Sequence, residues 1–343
     1  PALAAGSAAF VAFNPMFLYM AAAINNDVAA AAAGAAITYA CVRLLLDGRG
    51  LRWQWGVWLG ALYGLALLSK FNLAAIIVVI EAAVTWVAWR RGQWRQWLVV
   101  NALIVGVAAL LAGWWFARNQ RLYGEPTGIE QLTQLWGVRD PRDSFWLAIS
   151  ELPYAWTSLW GRFGYGQIPL PGVVYIGLFV VLLLSLGGYV FAFLCRLPRP
   201  PGEGWGEGST FSAVPFASED ANSTRATHHV PPATRHPPRA PLLLLALNVA
   251  IFFAVLFNYL LVSPAGPMGR FFFPALPALG ILMFYGLTLW GSDELRVTSD
   301  EFRDERRVTS DNSSLVARHS SFVTYLAWAV NLGLIALSLV ALF

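Results

Sequence analysis

Nine apolar runs, at roughly 1–20, 28–46, 53–69, 71–89, 97–117, 172–195, 241–263, 271–290 and 321–343, constrain this chain more than anything else in it. A helix rises about 1.5 Å per residue, so runs of this length match the roughly 30 Å of hydrocarbon in a bilayer. The composition agrees: 57% of residues are hydrophobic and only 12% charged, which is too apolar for a soluble domain. The sequence therefore predicts an all-α, polytopic integral membrane protein of about nine transmembrane helices. The third run is short and abuts the fourth at Ser69-Lys70, so those boundaries are the least defined.

Charge sorts the connections into two classes. Sixteen of the 23 basic residues follow the second, fourth, sixth and eighth runs, which the positive-inside rule assigns to the cytoplasm. The other seven are Lys70, Arg118, Arg121, Arg139, Arg142, Arg162 and Arg270, and they fall on the opposite side together with Asp27. The expected location is the cell (plasma) membrane with an extracytoplasmic active face. The small net charge of +4 gives no reason to expect nucleic acid as a partner. Cys41 and Cys195 lie near the same expected side and form neither a disulfide framework nor a metal site.

Three regions follow from this reading: an N-terminal membrane part over 1–195, an insert over 196–240, and C-terminal membrane helices over 241–343 interrupted by a cytoplasmic insert at 291–320. The first insert is Gly-, Pro-, Ser- and Thr-rich and is expected to be disordered; its His228, His229 and His236 lack any companion ligand set. The second holds Arg-Val-Thr-Ser-Asp twice, at 296–300 and 307–311. Ahead of both, within the N-terminal membrane part, the loop 118–171 is expected to carry interfacial helices on the extracytoplasmic side. Trp114-Trp115 reads as an interface anchor and Tyr123-Gly124-Glu125-Pro126 as a turn. Phe145, Ile149, Leu152, Trp156 and Leu159 mark the apolar stripe of a helix lying in the interface plane, which Pro153 is expected to break.

Asp27 is the only acidic residue of the first forty-six. Two readings of it stand side by side. Asn25, Asn26 and Asp27 could cap the first N–H groups of a helix starting at Val28, where the helix dipole favours a carboxylate. Alternatively, Asp27 is aimed into a cavity, as intramembrane ionisable groups commonly are. Lys70, Arg118 and Arg270 carry a similar ambiguity: each could snorkel to headgroups or serve a site. Glu81, mid-span in the fourth run, is costly there unless protonated or paired. Together the group places one carboxylate and several cations on one face of the membrane. Guanidinium forks and an ammonium suit a phosphate, and a carboxylate suits acid–base work.

Phe13-Asn14-Pro15 with Asn25-Asn26-Asp27, Leu68-Ser69-Lys70, Trp114-Trp115 with Arg118-Asn119 and Tyr123-Gly124-Glu125-Pro126, and Gly269-Arg270 with Phe273-Pro274 and Pro277 resemble the GT-C superfamily of membrane glycosyltransferases. The nearest groups are the family 39-like enzymes, of protein mannosyltransferase and aminoarabinose transferase type, and a related membrane family defined only as a domain of unknown function. The resemblance implies inverting transfer of a sugar from a polyprenyl-phosphate donor to an extracytoplasmic acceptor. It implies Asp27 as a catalytic-site carboxylate, Lys70, Arg118 and Arg270 as donor-phosphate ligands, and Asn25, Asn26, Asn119, Tyr123 and Glu125 in support. No metal or other cofactor is required, although a divalent ion is compatible. Because the chain begins at Pro1 inside an apolar run, it reads as a fragment without the family's first catalytic loop and is expected to be inactive alone. The competing classes are a transporter or flippase of lipid-linked or anionic substrates, and a non-enzymatic scaffold.

Overall fold

The computed structural model describes residues 2–164, 166–194, 239–264 and 268–291. Of the inserts expected at 196–240 and 291–320, residues 196–238 and 292–320 lie outside the described residues, as do Cys195 and the run at 321–343, whereas Arg239 and Ala240 already belong to a helix. What is described is almost entirely helical, with one two-residue hairpin, β1 (Arg162–Phe163) against β2 (Ile168–Pro169).

The first run does not form a single straight helix. α1 (Ala2–Ala12) and α2 (Pro15–Ala22) meet at a 49° bend. Pro15 cannot donate the hydrogen bond that would carry α1 onward, and Asn14 caps α2 by accepting from Phe17 N at 2.9 Å. The fully buried Asn14 amide also donates to Leu159 O at 3.3 Å, which pins the bend to a later helix.

Next come α3 (Asp27–Leu46), α4 (Trp53–Ser69) and a 3-10 segment, Phe71–Ile76, that leads into α5 (Ile77–Arg91). α6 (Trp94–Tyr123) is followed by α7 (Ile129–Trp136) and α8 (Pro141–Trp160). α9 (Gly172–Leu194) and α10 (Arg239–Val262) precede a second 3-10 segment, Gly269–Ala275, which continues as α11 (Leu276–Thr288). Six of these segments are long and apolar enough to span a membrane, and the bent α1–α2 pair could make a seventh. α4, at 17 residues, is at the short end of the spanning range and packs along α6.

Small residues set the closest approaches. Gly56, Gly60 and Gly64 of α4 lie so near α6 that a Cβ at Gly60 would sit 2.9 Å from Ile104 O. On α3, a Cβ at Gly34 would come within 2.5 Å of Pro274 Cβ, so its absence lets the second 3-10 segment rest directly on that helix. Gly269, at the start of that segment, is wedged against α8: its N–H donates to Ser158 Oγ at 2.8 Å, and a Cβ there would meet Leu159 N at 2.4 Å.

α8 corrects two expectations. Pro153 leaves it continuous over twenty residues, because α10 packs along it on both sides of the proline through Ala148 and Ala155 against Leu256 and Leu260. Nor does the whole helix lie in the interface plane. Phe145 and Ile149 are exposed, whereas Ser158, Leu159 and Trp160 are buried in the bundle. α7 fits the interfacial description better: none of its residues is buried, and Ile129, Leu132, Leu135 and Trp136 leave an exposed apolar face.

Candidate active site

The two 3-10 segments enter the bundle at the same end, the end at which α3 begins. Three of the charged residues named above meet there. Lys70 is both the residue closing α4 and the one preceding the first 3-10 segment. Its ammonium donates to Asp27 Oδ1. Arg270, the second residue of the other 3-10 segment, brings Nη1 to 3.7 Å from Asp27 Oδ2. The Asp27 side chain is 4% exposed, against 17% for Lys70 and 34% for Arg270. One buried carboxylate thus serves two cations, each supplied by a short turn between spanning helices.

Of the two readings of Asp27, the capping one does not describe its contacts. α3 starts at Asp27 itself, not at Val28, and its carboxylate does not cap the helix. Asn25 Oδ1 accepts from Asp27 N at 2.8 Å, so Asn25 satisfies one of the free N–H groups. Asn26, the nominal cap, makes no capping bond and donates instead to Ser69 O at 2.8 Å. That bond and the Asp27–Lys70 contact join neighbouring residues of α3 to neighbouring residues of the α4 turn, and so fix the register between them. Lys70 does not snorkel to headgroups; its Nζ lies 4.4 Å from the centroid of the Phe271 ring. Burial, reinforced by Arg270, pushes the Lys70 ammonium below the usual lysine range, and Asp27 opposes that shift. Lys70 belongs to the turn between two spanning segments and to neither of them.

The remaining candidates stand apart. The Arg118 guanidinium lies over the Trp115 ring at 5.2 Å and makes no ion pair among the described residues. Its neighbourhood still borders the cluster, since Phe116 meets Phe71, the residue after Lys70, at 6.2 Å between ring centroids. Asn119 is buried and donates to Pro126 O at 3.2 Å, which closes the turn after α6. Tyr123 is half exposed, and Gly124 ends α6 at a φ of +75°. Glu125 caps the start of α7, accepting from Glu130 N and Gln131 N at 2.9 Å each. Desolvation would raise the Glu125 carboxyl, but these bonds and those from Thr127 and Ile129 hold it below the usual range. Asn119, Tyr123 and Glu125 thus shape the loop and do not reach the ion cluster.

Arg139 is engaged in another way. Its Nη2 meets both oxygens of Glu151 at 2.7 and 2.8 Å, and its Nε donates to Ser263 O at 2.7 Å. Nothing in the local sequence marks this pair. Its twelve-residue separation crosses a turn, and only the fold brings in Ser263.

Beside the cluster lies an elongated, largely apolar groove of about 1140 Å³, lined by α8, α9, α10, α11 and the second 3-10 segment. Its wall reaches Gly269, the neighbour of Arg270, at one end and Arg239 at the other. Along α10 it extends from Arg239 to Leu256, roughly 25 Å at the helical rise. None of Asp27, Lys70 and Arg270 lines it; its nearest approach to the charged cluster is Gly269, the residue before Arg270.

Among the described residues, no group of three or more His, Cys, Asp and Glu side chains could hold a metal ion.

Residues 1–115 match the family model described as dolichyl-phosphate-mannose-protein mannosyltransferase. The matched stretch contains Asp27 and Lys70 and ends before Arg118 and Arg270. It supports the reading of this stretch as part of a GT-C membrane glycosyltransferase. Neither the curated proteins nor the solved structures compared with the chain gave a match.

Proposed function

We propose that the protein transfers a sugar from a polyprenyl-phosphate donor to an acceptor outside the cytoplasm, with the Asp27 end of the bundle facing that compartment of the plasma membrane. The observation that carries the reading is the charge imbalance at Asp27: two cations share one buried carboxylate, beside a groove deep enough to shelter a lipid chain. The surplus positive charge suits a phosphate, and the apolar wall suits what the phosphate is attached to. The description of the matching family supplies the class of chemistry, since it names a dolichyl-phosphate-linked mannose donor.

In this reading the lipid lies along α10 with its phosphate at Arg270 and Lys70. As the anomeric C–O bond breaks, the electron pair passes to the phosphate oxygen. Lys70 and Arg270 stabilise the charge growing there. Asp27 holds both cations in place and orients the sugar or the acceptor. The acceptor hydroxyl loses its proton to a general base, which we do not assign to a described residue. Arg118, one layer out on α6, would meet the phosphate only after a movement of its side chain from Trp115.

The test is turnover of the full-length protein in proteoliposomes, supplied with a panel of polyprenyl-phosphate sugars. We expect transfer from at least one donor, and Lys70→Ala is expected to lower it by roughly 100-fold or more, the scale seen when one donor to a developing anion is removed. Movement of intact lipid-linked sugar across the bilayer without glycosidic bond cleavage would overturn the proposal in favour of a transporter.

A further inference from the structure

Lys70 is the only lysine in this sequence; the other 22 basic residues are arginines. An arginine stays protonated under all ordinary conditions, whereas a buried lysine has a charge that its surroundings can extinguish. That lysine is the less exposed of the two cations in the cluster, at 17% against 34% for Arg270. Its charge is therefore something the fold must hold.

Three side chains surround it. From α3, Asp27 accepts the ammonium, and from the second 3-10 segment Arg270 works against it as a like charge. The third is Phe271, whose ring centroid lies 4.4 Å from Lys70 Nζ, within the range of a cation–π contact. Tyr259 of α10 backs that ring, with centroids 4.4 Å apart at an angle of 46°. No other titratable or charged side chain meets the ammonium among the described residues.

We propose that Phe271 is a positioning residue that keeps Lys70 protonated and aimed at the donor-binding space. A ring face does this in a way a second carboxylate would not. It attracts the cation through its quadrupole but carries no net charge, so the cluster keeps its positive surplus for an incoming anion. The packing alternative is that Phe271 merely fills space against Tyr259 and Leu260. That role depends on volume alone and is indifferent to the electronics of the ring.

The relevance to donor binding rests on the transferase reading; the effect on Lys70 does not. The experiment uses the protein labelled with ε-13C lysine, in which Lys70 is the one lysine signal of this sequence, and follows that signal through a pH titration in nanodiscs. Phe271→Leu and replacement of Phe271 by trifluorophenylalanine should each lower the pH at which Lys70 deprotonates by roughly half a unit to one and a half units. Phe271→Tyr should leave it near wild type. The trifluoro variant keeps the shape of the ring, so it reads electronics even where Leu perturbs packing. An unmoved Lys70 titration in the trifluoro variant would overturn the proposal. In transfer assays, donor KM should rise several-fold in the trifluoro variant and recover in Phe271→Tyr. A shifted titration with no transfer from any donor would count against the transferase reading and leave the Lys70–Phe271 pairing standing.

Discussion

Two buried ion pairs lie in the connections at the Asp27 end of the bundle, and they are built to opposite specifications. Arg139 and Glu151 form a balanced pair, one fork on one carboxylate at 2.7 and 2.8 Å, with Arg139 also closing onto Ser263 O. Lys70, Asp27 and Arg270 form an unbalanced trio in which Arg270 stands off at 3.7 Å. Unpartnered nitrogens do not separate the two sites, since Arg139 Nη1 and Arg270 Nε are both buried without a partner. Stoichiometry does. The balanced pair is electrostatically complete and ties α8 and the end of α10 to the turn after α7. The trio is short of one negative charge, and an anionic ligand can supply it. Arginine–carboxylate contact alone is thus no sign of function; the residual charge is.

The sharpest way to break this contrast is to remove one partner from each site. Asp27→Asn cannot hold both cations, and transfer by the full-length protein is expected to fall by roughly 100-fold or more. Initial rates at saturating donor check it, and wild-type turnover would remove Asp27 from the mechanism. Arg139→Ala should do the reverse, lowering stability by about 3 kcal/mol while the folded fraction keeps its KM for donor. That figure is at the low end for breaking a buried pair, because Glu151 is a quarter exposed and water can reach it. Thermal unfolding in detergent measures the first effect and transfer kinetics below the transition measure the second.

A third change tests whether geometry, rather than charge alone, makes the trio. Gly34→Ala leaves every charged group in place but puts a methyl group 2.5 Å from Pro274 Cβ. The second 3-10 segment must then shift off α3, and Arg270 moves with it. Overpacking of this kind costs about 1–3 kcal/mol, and donor KM should rise because the guanidinium is displaced. An unchanged KM would show that Arg270 reaches its ligand from a range of positions.

These cases also show how far the sequence could be read. The spanning runs were visible because hydrophobicity over twenty residues is a local property, and Asp27, Lys70 and Arg270 stood out because charge is rare in such surroundings. The sequence puts them on one face of the membrane but not on one carboxylate, and the individual pairing of Lys70 with Asp27 depends on Asn26, Ser69 and the α3–α4 register. What stayed hidden depends on contacts between distant segments. The bend at Asn14 needs Leu159, the continuity of α8 through Pro153 needs α10, and the value of Gly34 needs Pro274. Arg118 is equivalent to Arg270 in sequence, each a cation at a helix end, but its guanidinium lies over Trp115 and forms no ion pair among the described residues.

The mildest test takes a carboxylate with no cationic partner among the described residues. Glu125 is held by the N–H groups of Glu130 and Gln131 and by the Thr127 hydroxyl, so it carries the contrast to its limit, a carboxylate stabilised by uncharged donors. Its carboxyl titrates below the usual glutamate range, with desolvation opposed by those bonds. A group with a depressed folded pKa stabilises the fold above its unfolded pKa, and that contribution is lost as the pH falls through the folded value. Acidification below the ordinary glutamate range should therefore fray the first turn of α7 while leaving the trio assembled. Amide shifts of Glu130 and Gln131 would move together in that window, and Glu125→Gln should weaken the response without altering transfer. If acid released Lys70 from Asp27 at the same pH as it frayed α7, the loop and the trio would be one cooperative unit, and the separation of structural from anion-receptive carboxylates would fail.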